Sequence, residues 1–193
     1  MKVLIACEFS GVVRRAFAAK GHDAWSCDIV PAMDRSDKHL TCDVSEVLEG
    51  DWDLIVAHPP CTYLTVAGNR YYAHRPELYL PAAEFATRFF EYAPKVCVEN
   101  PIGRLSRLFR KPDQIIQPYD FGEDASKATC LWLQGLPKLM PTERVKGRMV
   151  NGKERWDNQT DSGQNKLSPS ADRASLRSIT YQGIADAMAE QWG

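Results

Sequence analysis

The stretch Asp53-Leu54-Ile55-Val56-Ala57-His58-Pro59-Pro60-Cys61 decides the fold prediction for this chain. Its first five residues form a short apolar run, which is typical of a strand buried on both faces. The two prolines that follow cannot continue a ladder, because each fixes φ and lacks a backbone N–H. The pattern therefore predicts a cysteine on a rigid turn, beyond the carboxyl end of a strand, where open α/β sheets bind their ligands.

The same pattern recurs outward from this stretch. Four further strand-like runs are each followed by an acidic residue. Lys2 to Ala6 precedes Glu8, Ala24 to Cys27 precedes Asp28, Leu40 to Cys42 precedes Asp43, and Val96 to Val98 precedes Glu99-Asn100-Pro101. Helical periodicity lies between several of these runs. The alternation predicts an α/β, Rossmann-like, doubly wound and mostly parallel sheet.

Capping and turn residues predict where the helices lie. Ser10 is expected to cap the first helix, Gly21 to end it, and Pro81 to open a later one. Residues 130–133 are predicted to form a further strand, and residues 183–192 a terminal helix. Residues 141–172 are polar and nearly without apolar periodicity, which predicts a long functional or disordered loop.

Bulk composition limits the class of protein. At 193 residues with 44% hydrophobic content, the chain fits a single domain with a substantial core. The net charge of −1 gives no overall basic footprint, so a nucleic-acid partner would need a local positive surface. Six cysteines without a C-x-x-C pair favour no metal and a reducing, cytoplasmic location. No window approaches the length of a membrane span.

The turn Glu8-Phe9-Ser10-Gly11 leads from the first strand into its helix and is predicted to approach a cofactor. Asp28, 17 residues beyond Gly11, stands where an acid grips ribose hydroxyls. Asp43 at the next strand end is placed to accept from an adenine amino group. A full G-x-G-x-x-G is absent, because Val13 and Arg14 replace later glycines, which favours S-adenosylmethionine over a dinucleotide.

Taken in order, these motifs resemble the DNA cytosine-C5 methyltransferase family. Phe9-Ser10-Gly11, Asp28, Asp43, Pro59-Pro60-Cys61 and Glu99-Asn100-Pro101 are similar to the family's F-x-G, ribose-binding acid, adenine-contacting acid, P-P-C and E-N-V. The resemblance covers roughly the first hundred residues, and residues 182–188 look like a degenerate form of the motif that completes the cofactor pocket. It implies S-adenosylmethionine binding by Glu8, Phe9, Ser10, Gly11, Asp28, Ile29, Asp43, Val44 and Pro59.

The resemblance also implies roles in catalysis. Cys61 would add to C6 of cytosine as a thiolate, so that C5 can attack a sulfonium methyl group, and its pKa is expected to be lowered. Glu99 would hold or protonate N3. Pro60, Asn100, Lys127 and Thr129 are the expected substrate-binding residues, the last two in place of the family's Q-x-R-x-R motif. Residues 62–76 would close over the bound base.

Departures from the family leave the substrate open. Members usually insert a target-recognition region where this chain has only residues 141–172, and a short charged loop is poorly suited to reading the major groove. The leading hypothesis is a cytosine-C5 methyltransferase acting on DNA. The first alternative is the same chemistry on a free deoxycytidine nucleotide, with Arg and Lys holding the phosphate. The second alternative is an inactive cofactor-fold binding module.

Overall fold

A computed structural model describes residues 1–193, apart from the side chain of Asn69. The first part of the chain forms β1 (Lys2–Ala6), α1 (Val12–Ala19), β2 (Asp23–Asp28), β3 (His39–Thr41), β4 (Leu54–Ala57), α2 (Val66–Tyr72), α3 (Pro76–Thr87) and β5 (Lys95–Pro101). The remainder forms α4 (Leu105–Leu108), β6 (Gln114–Ile116), β7 (Thr129–Gln134), β8 (Arg148–Val150), β9 (Lys153–Arg155), α5 (Arg173–Ser178) and α6 (Gln182–Trp192). Short 3₁₀ helices lie at Val44–Glu46, Arg88–Glu91 and Pro118–Asp120.

Seven strands form one sheet in the order β3-β2-β1-β4-β5-β7-β6. The first five run parallel, while β7 runs antiparallel to both β5 and β6. The strand order reverses between β1 and β4, which is where a doubly wound sheet opens a crevice at its carboxyl edge. The structure therefore confirms the predicted fold class, an α/β, Rossmann-like fold with a doubly wound, mostly parallel sheet.

Burial on both faces of the sheet explains the continuous apolar strands. On one face Val3 and Ile5 of β1 pack with Phe17 of α1 and with Met188 and Trp192 of α6. The opposite face carries a second core that includes Leu4 and Ala6 of β1 together with Phe89, Leu64 and Trp132. Because successive side chains of a strand point to opposite faces, a strand between two cores has no polar side to present.

Two predicted boundaries are wrong. The helix expected to open at Pro81 begins at Pro76 and contains Pro81 in its interior. Pro76 occupies the first turn, where a missing N–H costs nothing, so it is the true start. The strand expected to end before Glu99 continues to Pro101, because β7 pairs with it antiparallel, with Glu99 opposite Leu131 and Pro101 opposite Thr129.

The polar segment 141–172 is more ordered than its composition indicates. It contains the hairpin of β8 and β9. Trp156 is buried and stacks on Tyr119 with a centroid separation of 4.0 Å. Arg144 lies over the Tyr119 ring and forms ion pairs with Asp120 and Glu154. The Trp156–Tyr119 stack and the ion pairs of Arg144 thus attach segment 141–172 to the rest of the domain. That the segment takes the place of a recognition region stays a prediction.

Candidate active site

The Pro-Pro-Cys turn leaves β4 at the carboxyl edge of the sheet. The backbone N–H of His58 donates to the Ala6 carbonyl at 2.9 Å, which ties the end of β4 to β1. The Cys61 carbonyl then accepts from the backbone N–H groups of Leu64 and Thr65, closing a tight turn. Pro59 is buried, Pro60 is exposed and Cys61 is half-buried. The thiol therefore sits on a turn stiffened by both prolines and hydrogen bonds.

A buried hydrogen bond joins this turn to β5. The side-chain Nδ2 of Asn100 donates to the Pro59 carbonyl at 3.0 Å, and Asn100 itself is 1% exposed. Its Oδ1 has no hydrogen-bond partner among the described residues. The two motifs predicted to meet, at residues 59–61 and 99–101, are therefore in direct contact.

Glu99 lies among groups that favour its charged form. Burial acts to raise the pKa of Glu99, but the nearby His58 side chain, the charge of Lys127 and the Thr129 hydroxyl together lower it below its ordinary value. The closest approach to His58 is 3.6 Å between Nδ1 and Oε2. Glu99 is thus a carboxylate at neutral pH, with two sequence-predicted partners, Lys127 and Thr129, beside it.

The expectation of a lowered thiol pKa is wrong for the protein without substrate. Burial raises the pKa of Cys61, and the negative charge of Glu99 raises it further. Lys127 and Arg177 act in the opposite direction but do not outweigh these effects. The backbone N–H of Cys61 also favours the thiolate, and its effect too is outweighed. Cys61 is therefore a protonated thiol in the protein without substrate, first because it is buried and second because of the charge of Glu99.

The C-terminal part of the chain forms a wall beside Glu99. A narrow pocket there is lined by Glu99, Ile116, Lys127, Thr129, Thr180, Tyr181, Ile184 and Met188. Lys127 Nζ donates to the Arg177 carbonyl at 2.8 Å, which links α5 to the segment before β7. Arg177, Tyr181 and His58 are site residues that the sequence prediction missed. Long sequence separation hid the first two, and nothing local distinguished His58 from a packing residue.

The predicted lid, residues 62–76, consists of a turn after Cys61, then α2, then the residues that lead to α3. Tyr63 packs edge-on against Tyr72 at 4.9 Å between ring centroids. The backbone N–H of Val66 donates to the Ile102 carbonyl, and Thr65 pairs with Gly103. The start of this segment is thus attached to the loop after β5, on the same side of the sheet as Cys61. Its closure over a base stays a prediction.

On the predicted cofactor side, Glu8 serves the local backbone. Its buried carboxylate accepts from the N–H groups of Val13 and Arg14 and from the Ser10 hydroxyl, at 2.8, 3.3 and 3.1 Å. The cap position of α1 belongs to Gly11 rather than to Ser10, although the Ser10 Oγ accepts from the Val12 N–H at 3.3 Å. Glu8 satisfies the next two free N–H groups of the first turn, those of Val13 and Arg14. This leaves the side chain of Glu8 engaged before any cofactor binds.

Gly11 has a structural reason for lacking a side chain. Its φ of 69° lies in the left-handed region, and an added Cβ would stand 2.6 Å from Arg14 Nη2 and 2.8 Å from Asp34 Oδ2. The neighbouring Phe9 is half-buried, and its carbonyl accepts from the Met33 N–H. The turn is therefore shaped by its own chain, and the space at Gly11 faces the Arg14–Asp34 ion pair.

Asp28 and Asp43 converge at the carboxyl ends of β2 and β3. Burial raises the pKa of the Cys7 thiol well above its ordinary value, and the charges of Asp28 and Asp43 both raise it further. Asp28 Oδ1 accepts from the Val30 N–H, while Asp43 caps the 3₁₀ helix that follows it. Ile29 is 75% exposed beside them, whereas the Val44 side chain is buried in the core. Two carboxylates and an exposed apolar residue fit the ribose and adenine of a nucleoside better than a phosphate, which they would repel.

The state of the cysteines, possible metal-binding groups and possible membrane-spanning helices can also be described. The six cysteines are free thiols. Among the described residues, no group of three or more His, Cys, Asp or Glu side chains is arranged to hold a metal ion. No helix in the described part of the chain combines the length and apolar character needed to cross a membrane.

Comparison with known proteins assigns this chain to no family. No family model and no curated protein matches this chain. A crystal structure of a candidate DNA modification methyltransferase, encoded within an E. coli prophage, is 18% identical with a TM-score of 0.47. The alignment covers 74% of this chain and 51% of the other, so this chain spans about half the length of that structure. We therefore base the proposed activity on the residues of this chain alone.

Proposed function

We propose that this protein is an S-adenosylmethionine-dependent methyltransferase that methylates cytosine at C5 through a covalent bond between Cys61 and C6. The observation that carries the proposal is the 3.0 Å hydrogen bond from Asn100 to the Pro59 carbonyl. It fixes the turn bearing the thiol to the strand bearing the carboxylate. The effect of the Glu99 charge on the pKa of Cys61 supports the same conclusion, because it requires the two groups to lie close together.

The protonation states support a substrate-assisted start to the reaction. Cys61 Sγ forms a bond to C6 as the C5–C6 π pair moves toward C5, and the proton lost from Sγ is balanced by one gained at N3. Glu99 relays that proton or holds it at N3. Once the Glu99 charge is offset by the ring N3–H, one of the two effects that raise the pKa of Cys61 is removed, the other being burial. Formation of the adduct and protonation of the base therefore favour each other.

S-adenosylmethionine, when bound, supplies an electrophilic methyl group on its sulfonium sulfur. Asp28 would accept from the ribose hydroxyls, Asp43 from the adenine amino group, and Ile29 would cover the adenine face. After methylation, loss of the C5 proton to a base returns an electron pair to the ring, the Sγ–C6 bond breaks, and the leaving thiolate recovers the proton from N3 through Glu99. Lys127 and Thr129 would keep Glu99 in place during both proton transfers.

A free deoxycytidine nucleotide is the second candidate substrate. Lys127 and Arg177 both act on the Cys61 thiol through their positive charge, and two cations beside the base site suit a single phosphate. The net charge of −1 also favours a small substrate over a polyanion. DNA remains the leading substrate because the ordered set of motifs resembles enzymes that act on DNA.

A parallel assay separates the two substrates. Transfer of a labelled methyl group to duplex DNA, single-stranded DNA and dCMP is measured as the salt concentration is raised from 50 to about 200 mM. Methylation of DNA is expected to fall steeply with salt, because phosphate contacts release counterions, whereas methylation of dCMP is not. Cys61→Ser serves as the control and is expected to lose all transfer while still binding the cofactor by calorimetry. Full activity of Cys61→Ser would exclude the covalent mechanism.

A further inference from the structure

His58 is a largely buried polar side chain at the site to which the proposed chemistry gives no role. It directly follows β4, and its backbone N–H donates to the Ala6 carbonyl of β1 at 2.9 Å. Its side chain is 9% exposed. A side chain that is this little exposed, on a backbone tied to the neighbouring strand, has few conformations open to it, so its direction is set by the fold.

That direction brings Nδ1 toward Glu99. The distance from His58 Nδ1 to Glu99 Oε2 is 3.6 Å, slightly longer than a hydrogen bond but within the range of an ion pair. A carboxylate can only accept, so an attractive contact requires the proton on Nδ1. The other ring nitrogen, Nε2, is buried and has no hydrogen-bond partner among the described residues. A buried polar atom without a partner needs an explanation, since leaving it unpaired is costly.

We propose that His58 is a positioning residue that orients Glu99 toward the substrate base through its Nδ1–H. The inference rests on the proposed function, since Glu99 is the group that would contact the base. The ring orientation that directs Nδ1 toward the carboxylate leaves Nε2 buried without a hydrogen-bond partner in the part of the chain that the structure describes, which is energetically unfavourable. Only a small movement is needed to convert the 3.6 Å contact into a hydrogen bond, and closure of the site around a base would supply it.

Several other groups face Glu99, and they define what His58 adds. Lys127 approaches from the segment before β7 and supplies a full positive charge. Burial raises the pKa values of the Cys61, Cys97 and Cys130 thiols, that of Cys130 to about 11, and each thiol lies near enough for the Glu99 charge to add to the effect. Lys127 is long and flexible, whereas His58 is rigid and buried. His58 therefore fixes the direction of the carboxylate, and Lys127 mainly stabilises its charge.

Two variants test this role without relying on activity. His58→Phe keeps a ring and removes the donor, while His58→Asn keeps an N–H close to the position of Nδ1. The exposed His74 provides the matched control, as His74→Phe. The pKa of Glu99 is measured by NMR on protein labelled with ¹³C at the glutamate carboxyl groups, with the resonance assigned from Glu99→Gln. Thermal unfolding identifies any variant that has lost its fold.

We expect His58→Phe to raise the pKa of Glu99 by about one unit, since a group favouring the charged form is removed. His58→Asn should restore at least half of that shift, and His74→Phe should leave the pKa unchanged. In the methyl-transfer assay, kcat of His58→Phe should fall about tenfold with little change in KM, and the acid limb of its pH profile should move to higher pH.

An unshifted Glu99 pKa in a folded His58→Phe protein, with wild-type kcat, would overturn the role of His58, and so would a Glu99 pKa raised by a full unit or more in His58→Asn, where the N–H donor is kept. If the wild-type protein transfers no methyl group to any cytosine substrate, the proposed function fails instead. The NMR shift would then still support the coupling of the two side chains. The two failures are therefore distinguishable.

Discussion

The side-chain amide of Asn100 donates to the backbone carbonyl of Pro59 at 3.0 Å, and both residues are buried. Asn100 belongs to β5 and Pro59 to the turn after β4, so this bond is the direct connection between the two chemical motifs. A proline-rich turn has few N–H groups of its own with which to be held. Its carbonyl therefore provides the attachment, and an asparagine on the neighbouring strand supplies the donor.

Replacing Asn100 by alanine should loosen the turn that bears Cys61. The Pro59 carbonyl would lose its donor while remaining buried, which costs about 1 to 3 kcal/mol of unfolding free energy. Methyl transfer should fall about a hundredfold, because small misplacement of a reacting group is costly in rate. Urea denaturation and initial rates provide the measurements. Asn165→Ala, at a half-buried position outside the site, is the control, and equal effects from both variants would show that the bond has no special role.

Replacing Glu99 by glutamine should make Cys61 more reactive while abolishing turnover. The Glu99 charge raises the pKa of the thiol, so its removal lowers that pKa and increases the thiolate fraction at pH 8. We expect alkylation of Cys61 by iodoacetamide, followed by peptide mass spectrometry, to accelerate about three- to tenfold. Methyl transfer should fall by about three orders of magnitude or more, since the group that serves N3 is lost.

The exposed Glu77 supplies the control for this experiment, as Glu77→Gln. It should change neither alkylation nor transfer. Unchanged alkylation of Cys61 in Glu99→Gln would mean that the two side chains are too far apart to share a substrate.

Asp34 should stabilise the protein in a pH-dependent manner. It binds Arg14, which is buried, at 2.5 Å and Arg15 at 2.6 Å. Burial acts to raise the pKa of Asp34, but the two arginines and the Ser36 N–H lower it below its ordinary value. A lowered folded-state pKa gives stability that is fully present above the unfolded value of about 3.9 and is lost as pH falls through the folded value.

Asp34→Asn should therefore cost about 1 to 2 kcal/mol at pH 7, because Arg14 keeps its burial and loses its counter-charge. The deficit relative to wild type should begin to shrink as pH falls below about 4, where the carboxyl of the unfolded chain becomes protonated, and should disappear once pH falls below the folded-state pKa. Urea titrations at pH 7 and pH 3 measure the difference. A deficit of equal size at both pH values would show that the ion pair contributes nothing through its charge.

Trp156→Ala should release the polar segment from the domain. The indole stacks on Tyr119 and its Nε1 donates to the Val145 carbonyl at 3.2 Å. Loss of a buried tryptophan typically costs about 3 to 5 kcal/mol. Limited proteolysis should then cut within residues 141–172 well before wild type is cut there. The same digestion pattern for both proteins would mean that the stack does not hold the segment.

The sequence predicted the fold where a single element carried the signal. The runs before Cys61 and Glu99 are short, apolar and bounded by prolines, and each became a parallel strand of the sheet. The pairing of β5 with β7 could not be predicted, because it joins Glu99 to Leu131 across a long connection. The start of α3 is predicted wrongly because proline is common in the first turn of a helix, and the sequence offers both Pro76 and Pro81. The helix begins at Pro76 and contains Pro81 in its interior.

The site was predictable in its residue types but not in its electrostatics. Lys127 and Thr129 were chosen by position and do lie beside Glu99. The opposing effect of Glu99 on the Cys61 pKa depends on spatial proximity, which the motifs do not encode. Likewise, the sequence predicts that Glu8 and Ser10 face a cofactor, yet the Glu8 carboxylate accepts hydrogen bonds from the free N–H groups of α1. Buried backbone N–H groups need hydrogen-bond acceptors, and a motif does not reveal which side chain supplies them.

Mechanism-based trapping tests the central claim most directly. An oligodeoxynucleotide containing 5-fluorocytosine, and separately 5-fluoro-dCMP, is incubated with the protein and S-adenosylmethionine, and the products are analysed by mass spectrometry. Fluorine at C5 cannot leave as a proton, so the Sγ–C6 bond should persist after methyl transfer. We predict a covalent adduct on Cys61 with one of the two substrates, dependent on the cofactor and absent from Cys61→Ser. No adduct with either substrate, or an adduct on another residue, would contradict the account.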